Sequence, residues 1–246
     1  MQALLTVAIP TYNRPDPLRH TLDILTASSS EEFEILICDD SSDLRVQVVV
    51  EGYQARFSNI RFVRNPSNLG FNANVAKLYE LAQTPYVWFL CDDDTIFEDS
   101  VPKITSTLKK YEPTVSIFNC SWVNSYGVES VAGVKADRVF DCLDQFDSYD
   151  VLMRMTFLSI LVYRKDDRAL NIIKSTPNFK DNVFVQLTLG LRLLSQNFKL
   201  CESAQYILHR NVGYKYGEFY KFILLDPLKA VFEVPNSFDG EKFIRW

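Results

Sequence analysis

Along the first half of the chain the apolar positions switch repeatedly between two periods. Leu4 to Ile9 is a short continuous apolar run closed by Pro10, and Leu18, Leu22 and Leu25 then recur at helical spacing within Pro17 to Ala27. Phe33 to Cys38 predicts a second buried strand, Val46 to Phe57 a helix, and Ile60 to Val63 a third strand. After the turn-rich Asn65-Pro66-Ser67-Asn68-Leu69-Gly70, a helical stripe runs through Phe71, Val75, Leu78 and Ala82, and Tyr86 to Leu90 is the most apolar strand. Uninterrupted apolar strands alternating with helices imply a largely parallel sheet covered on both faces, with ligands at the carboxyl ends of its strands. Further on, Thr114 to Cys120 reads as a strand, Val139 to Leu143 and a Tyr149 to Phe157 helix as scaffolding, and Val183, Leu187 and Leu191 as a helical stripe behind Phe179-Lys180-Asp181-Asn182.

Composition narrows this picture. A chain of 246 residues, 47% hydrophobic and 23% charged, fills one large domain or two small ones and is not disordered. A net charge of -5 supplies no attraction to a polyanion, so nucleic acid is not an expected partner. No apolar run approaches the length of about 18 residues that spans a membrane, and the N-terminus carries no basic leader. The five cysteines are scattered without metal-site spacing and read as reduced thiols of a cytosolic protein, Cys38 and Cys91 as small buried side chains.

The strand ends carry the candidate chemistry. The first strand ends in Pro10-Thr11-Tyr12-Asn13-Arg14, the second in Asp39-Asp40-Ser41-Ser42-Asp43, and the Tyr86 strand in Asp92-Asp93-Asp94. Carboxylates gathered at neighbouring strand ends repel one another unless a cation lies between them, and an Asp-x-Asp pair offers the hard oxygens that magnesium or manganese takes. Asp is also common in solvated turns, which is the better reading for Asp39-Asp40 alone.

Taken in order, Val7 to Arg14, Ile35 to Asp43, Asn65 to Gly70 and Tyr86 to Asp94 resemble the family 2 glycosyltransferases of the GT-A fold, over about the first 110 residues. Asn68 to Asn74 and Phe157 to Val162 look most like the bacterial branch that includes abequosyltransferases of surface polysaccharide assembly. The resemblance implies a GT-A-like, Rossmann-like α/β fold with a mostly parallel sheet flanked by helices. It also implies a nucleotide-sugar site built from Pro10, Thr11, Tyr12, Arg14, Asp40, Asn68, Asp92 and Asp93, with Asp40 accepting from a ring N–H of a UDP- or dTDP-type donor. A Mn2+ or Mg2+ ion would be held by Asp94, with Asp92 and His209. Asp181, at a helix start, is the candidate base; an N-terminal helix residue favoured by the macrodipole is an equal reading. His209 and Arg210 likewise read either as diphosphate or metal contacts or as ordinary residues beside a strand. Where relatives carry a basic residue followed by Asn, this chain has Val75-Ala76, so a diphosphate needs Arg14, Arg64, Lys77 or the His209 region.

The expected activity is metal-dependent, inverting transfer of one sugar to a hydroxyl of a glycan or lipid-linked acceptor, in bacterial surface polysaccharide synthesis. Residues 1–110 would form the donor half, and 111–246 the acceptor half and C-terminal extension of the same domain. Trp122 is either a sugar-stacking ring or core. The Tyr214 to Leu225 stretch, rich in aromatics and lysines, either packs on the domain or touches the inner face of the membrane, so the expected location is the cytoplasm or that surface. Two other readings stand beside this one. The first is a catalytically idle binding module on the same fold; the second is a haloacid-dehalogenase-type phosphotransferase, whose Asp-x-Asp-x-Thr motif Asp92-Asp93-Asp94-Thr95 matches only with the Thr one position early.

Overall fold

The computed structural model of the chain describes residues 3–28, 31–123, 129–142, 148–175 and 184–210. Asp181 and the aromatic and lysine-rich stretch 214–225 therefore lie outside the described residues.

The first strand, β1 (Leu5–Thr11), is buried along its whole length, as expected of a parallel strand covered on both faces. It leads into α1 (Pro15–Ala27), whose Leu18, Thr21, Leu22 and Leu25 face the core. Pro15 opens that helix at a position where a missing N–H costs nothing. β2 (Phe33–Asp39), α2 (Arg45–Gln54), β3 (Ile60–Arg64), α3 (Phe71–Leu81) and β4 (Tyr86–Phe89) follow in the predicted alternation. The second half adds β5 (Thr95–Ile96), α4 (Ser100–Tyr111), β6 (Val115–Val123), β7 (Glu129–Ala132), β8 (Arg138–Phe140), α5 (Ser148–Arg154), β9 (Leu161–Arg164), α6 (Asp167–Ser175), α7 (Val185–Gln196) and β10 (Leu200–Arg210). A single 3-10 turn, Leu158–Ile160, leads into β9.

These strands form one mixed sheet in the order β3-β2-β1-β4-β9-β6-β10-β5, with β7 on β6 and β8 on β10. β1 to β4, β6 and β10 share one direction, while β9 runs antiparallel between β4 and β6. The chain moves outward from β1 to β2 and β3, then returns across the sheet to β4. Right-handed crossovers therefore place α1 and α2 on one face and α3 on the other. α1 packs on α2, and α3 packs with α6 and α7. The strand order reverses between β1 and β4, so the loops leaving these two strands diverge and open a crevice at their carboxyl ends.

Behind the second half of the sheet lies a buried ion cluster. Glu202 on β10 is fully buried; it meets Arg154 of α5 at 2.5 Å and the half-exposed Arg138 of β8 at 2.6 Å. Arg154 also donates to Phe118 O and Asn119 Oδ1 on β6, so three strands and a helix share one charge pair. Glu202→Ala leaves the buried Arg154 without its partner and is expected to lower stability by about 3 to 5 kcal/mol. The measurement is the urea unfolding midpoint at unchanged slope, and the Arg154→Met, Glu202→Leu double variant should recover most of the loss.

Candidate active site

The register of the sheet builds the first contact of the site. Ala8 pairs with Phe89, the last residue of β4, and three residues beyond that pair Thr11 at the end of β1 meets Asp92 in the turn after β4. Thr11 Oγ1 donates to Asp92 Oδ2 at 2.7 Å. Asn13 then takes a positive φ of 55°, a conformation Asn tolerates better than most residues, and turns the chain so that Arg14 faces back toward the acidic turn. Arg14 Nη1 lies 3.2 Å from Asp92 Oδ1 and 2.7 Å from Asp93 Oδ2. Asp92 is only 6% exposed, and burial pushes its carboxyl up to about 6 against the opposing pull of Thr11 and Arg14. Arg14, hydrogen-bonded to Asp93 and facing Asp92, is held still further above its already high range.

Asn13 also braces the neighbouring strand end. Its backbone N–H donates to Ser41 Oγ at 2.8 Å, and its side-chain oxygen accepts from Ser42 N–H at 3.2 Å. Asp39, fully buried at the end of β2, accepts from Ser41 N–H at 2.8 Å, and burial raises its carboxyl above the usual range. Asp40 receives Asn65 Nδ2 at 2.5 Å, while Asn65 Oδ1 accepts from Lys77 Nζ at 2.5 Å. The same Asn65 amide lies 3.2 Å from Asn74 Oδ1, and Asn74 in turn donates to Cys38 O at 3.0 Å. Lys77 thus fixes which way the Asn65 amide points and so aims its N–H groups at Asp40. Asp40, with Tyr12 and Asn68, stands between two cavities. One, of about 510 Å³, also touches Arg64 and Asn65. The other, of about 600 Å³, runs along the crevice over Pro10, Thr11, Arg14 and Asp92 to Asp94.

Asn68 closes the turn ahead of α3, accepting from Gly70 N–H at 2.8 Å; Gly70 has φ +82°, which a side chain would strain. Across the larger cavity the 3-10 turn seals the base of the acidic turn. Ser159 Oγ accepts from Cys91 N–H at 3.0 Å, and Ser159 O accepts from Trp88 Nε1 at 2.8 Å.

Ligand atoms of Cys91, Asp93 and Asp94 lie within 4.8 Å of one another, a group that could hold a metal ion. Burial, reinforced by Asp94, pushes the Cys91 thiol above its ordinary range. The two carboxylates of the group supply oxygens that suit a hard divalent ion. Of the expected metal contacts, Asp94 belongs to this group, and Asp92 adjoins it but is engaged by Thr11 and Arg14. His209 lies within β10, opposite Thr95 of β5, with Nδ1 3.0 Å from Ser121 Oγ; it is not among the residues lining the crevice, whereas its neighbour Leu208 is.

The expected nucleotide-sugar contacts Pro10, Thr11, Tyr12, Arg14, Asp40, Asn68, Asp92 and Asp93 all line that one cavity. Four participants have no role in the sequence reading: Asn65, Asn74 and Ser159 lie within stretches that carry the family resemblance but are assigned no contact by it, and Gln186 lies in an otherwise apolar helix start. Of the basic residues considered for a diphosphate, Arg14 reaches the acidic turn, and Arg64 and Lys77 stand beside Asp40.

Comparison with known proteins agrees with this geometry. The family model Glycosyl transferase family 2 matches residues 6–157. A glycosyltransferase of Mycoplasma pneumoniae is 30% identical over 48% of this chain and 40% of its own length. The abequosyltransferase RfbV of Salmonella typhimurium is 29% identical over 40% of this chain and 30% of its own. TuaG of Bacillus subtilis, named a putative teichuronic acid biosynthesis glycosyltransferase, is 24% identical over 79% and 73%. The first curated relatives are thus matched over only about 40% of their length. The structure of S. aureus TarS 1-349 in complex with UDP superposes with a TM-score of 0.70 at 17% identity, covering 97% of this chain and 68% of that one. That of the mannosyltransferase PcManGT from Pyrobaculum calidifontis with GDP-Man and Mn2+ gives 0.66 at 14%, covering 99% and 68%. These two likenesses establish the GT-A-type α/β fold. The family match runs from β1 through the acidic turn to the start of the 3-10 region, and on that ground the chain belongs to glycosyl transferase family 2.

Proposed function

We propose that the chain is a metal-dependent, inverting glycosyltransferase that moves one sugar from a nucleoside-diphosphate donor to a hydroxyl of a glycan or lipid-linked acceptor. The observation that carries this reading is the meeting of Thr11, Arg14 and the acidic turn at the sheet's reversal point, open to a cavity of about 600 Å³. The relatives named for abequosyl transfer and teichuronic acid synthesis support a place in bacterial surface polysaccharide assembly. No helix among the described residues is long and apolar enough to cross a membrane. In this reading a lipid-linked acceptor is met at the membrane surface, on its cytoplasmic side.

In this reading Asp40 accepts from the base N–H with the carboxylate oxygen that Asn65 does not occupy, and Tyr12 and Asn68 flank the ribose. Asp94, with Asp93 or Asp92, holds Mn2+ or Mg2+, which when bound supplies positive charge to a departing nucleoside diphosphate. Arg14 keeps the acidic turn oriented and adds a fixed guanidinium beside it. Asp181 takes the proton of the attacking hydroxyl as the new glycosidic bond forms on the opposite face of the sugar from the leaving diphosphate.

A thermal-shift titration with UDP, GDP, CDP and dTDP, with and without manganese, tests the donor site. A uridine or thymidine diphosphate at a hundredfold excess over its Kd should add about 2.7 kcal/mol of stability, raising the melting temperature by several degrees. The shift should require manganese and vanish in Asp94→Ala; no shift with any nucleotide would overturn the reading in favour of an idle module. Asp181→Asn is expected to lower transfer by about 10² to 10⁴ while leaving donor binding intact. Full transfer by that variant in a sugar-transfer assay would remove Asp181 from the role of base.

A further inference from the structure

Asp40 lines both cavities, and its backbone is pinned to the end of β1 by its own N–H, which donates to Thr11 O at 3.0 Å. Its Oδ1 accepts from Asn65 Nδ2 at 2.5 Å. Asn65 follows directly on β3 and is only 4% exposed, with its backbone N–H engaged by Asp39 O at 2.8 Å.

The direction of the Asn65 amide is fixed from two sides. A lysine ammonium can only donate, so the atom that Lys77 Nζ meets at 2.5 Å must be the oxygen. A backbone carbonyl can only accept, so Cys38 O takes the NH2 of the buried Asn74 at 3.0 Å. The Asn74 oxygen is thereby left facing Asn65, which meets it with NH2 at 3.2 Å. Both constraints give the same result, and the two N–H groups of Asn65 are both in use, one on Asp40 and one on Asn74. Turning the amide over would set oxygen against oxygen at Asp40 and at Asn74, and NH2 against the ammonium of Lys77. Lys77 itself lines neither cavity, so its influence on a ligand there passes through Asn65.

A donor fixed in this way dictates what position 40 can show to a ligand. The branch facing Asn65 has to be an acceptor. A carboxylate meets that demand and offers a second acceptor on its other branch, whereas a carboxamide would have to put its oxygen on Asn65 and its NH2 on the other branch.

We infer that Asn65, oriented by Lys77 and Asn74, is a positioning residue that sets the hydrogen-bonding polarity of position 40, and that the pair selects a donor whose pyrimidine carries N–H at ring position 3, uracil or thymine, over cytosine, whose N3 can only accept. This rests on the donor reading above, in which the base meets the carboxylate oxygen that Asn65 does not occupy. A cytosine N3 brought to the same oxygen finds no proton between two acceptors. The hydrogen bond to a charged group that uracil gains there corresponds to about 10- to 100-fold in affinity.

Calorimetric titration of UDP, dTDP, CDP and GDP, with manganese present, tests the assignment on the unaltered protein and on paired variants. The unaltered protein should bind UDP and dTDP about 10- to 100-fold tighter than CDP. In Asp40→Asn the fixed Asn65 takes the oxygen of the new amide, so NH2 is presented to the base and the order inverts, with CDP about 5-fold tighter than UDP, the value of one neutral hydrogen bond. Adding Asn65→Asp makes position 65 an acceptor; the amide at position 40 then turns over, offers its oxygen again and restores UDP over CDP by a similar factor. A residue that merely braced the fold would move all affinities together and could not reverse their order twice. Should the swapped pair fail to fold, as read from its melting curve, Asp40→Asn with Asn65→Ala frees the amide to turn either way and should bring UDP and CDP to within about 2-fold of each other. CDP bound as tightly as UDP by the unaltered protein, binding of GDP alone, or UDP still preferred by Asp40→Asn would each overturn the inference, while manganese-dependent binding of any one diphosphate left the donor reading standing. Failure of all four to bind would overturn both.

Discussion

The carboxylate of Asp92 holds the site together. A negative charge this deeply buried is costly, and here it is kept in place by Thr11 and Arg14, from a part of the chain some eighty residues away. The parallel register of β1 and β4 brings Thr11 and Asp92 level, and the turn at Asn13 brings Arg14 back over the same group. Tying these two strand ends together fixes the acidic turn relative to β1, so Asp93 and Asp94 are presented at the crevice as a pair. The bonds from Asn13 to Ser41 and Ser42 extend the brace to the end of β2, and the Ser159 contact extends it to the 3-10 turn.

Around this centre the cavity divides its chemistry. On the β2 and β3 side a chain of amides, fixed by Lys77, orients one oxygen of Asp40, a residue that also lines the cavity. On the β6 and β10 side the lining is mostly apolar, with Thr156, Ser159 and Gln186 among it.

The strands and helices of the first half stand nearly where the hydrophobic pattern puts them. The predicted helix Val46 to Phe57 is α2, Arg45–Gln54, and the strand Phe33 to Cys38 gains only Asp39. Buried strands and amphipathic helices are declared by local periodicity, and parallel strands with helical crossovers leave few alternatives to the order found. The second half is less legible. The predicted strand Thr114 to Cys120 is found as β6, Val115–Val123, but the insertion of β9 antiparallel between β4 and β6 follows from no local signal, because an apolar run does not specify its neighbour. His209, read either as a metal or diphosphate contact or as a hydrogen-bonded residue after a strand, lies inside β10, paired to β5 and β6.

By itself the sequence determined the alternating fold, the polar strand ends and the family, because these depend on periodicity and on residue types that stand together in the chain. The tertiary structure decided which of those polar groups meet. It buried Asp92 under Arg14, turned Asn65 toward Asp40, and set Gln186 into a mostly apolar wall. Such roles arise from contacts between residues far apart in sequence, where burial and the direction of each donor and acceptor, rather than residue type, set the chemistry.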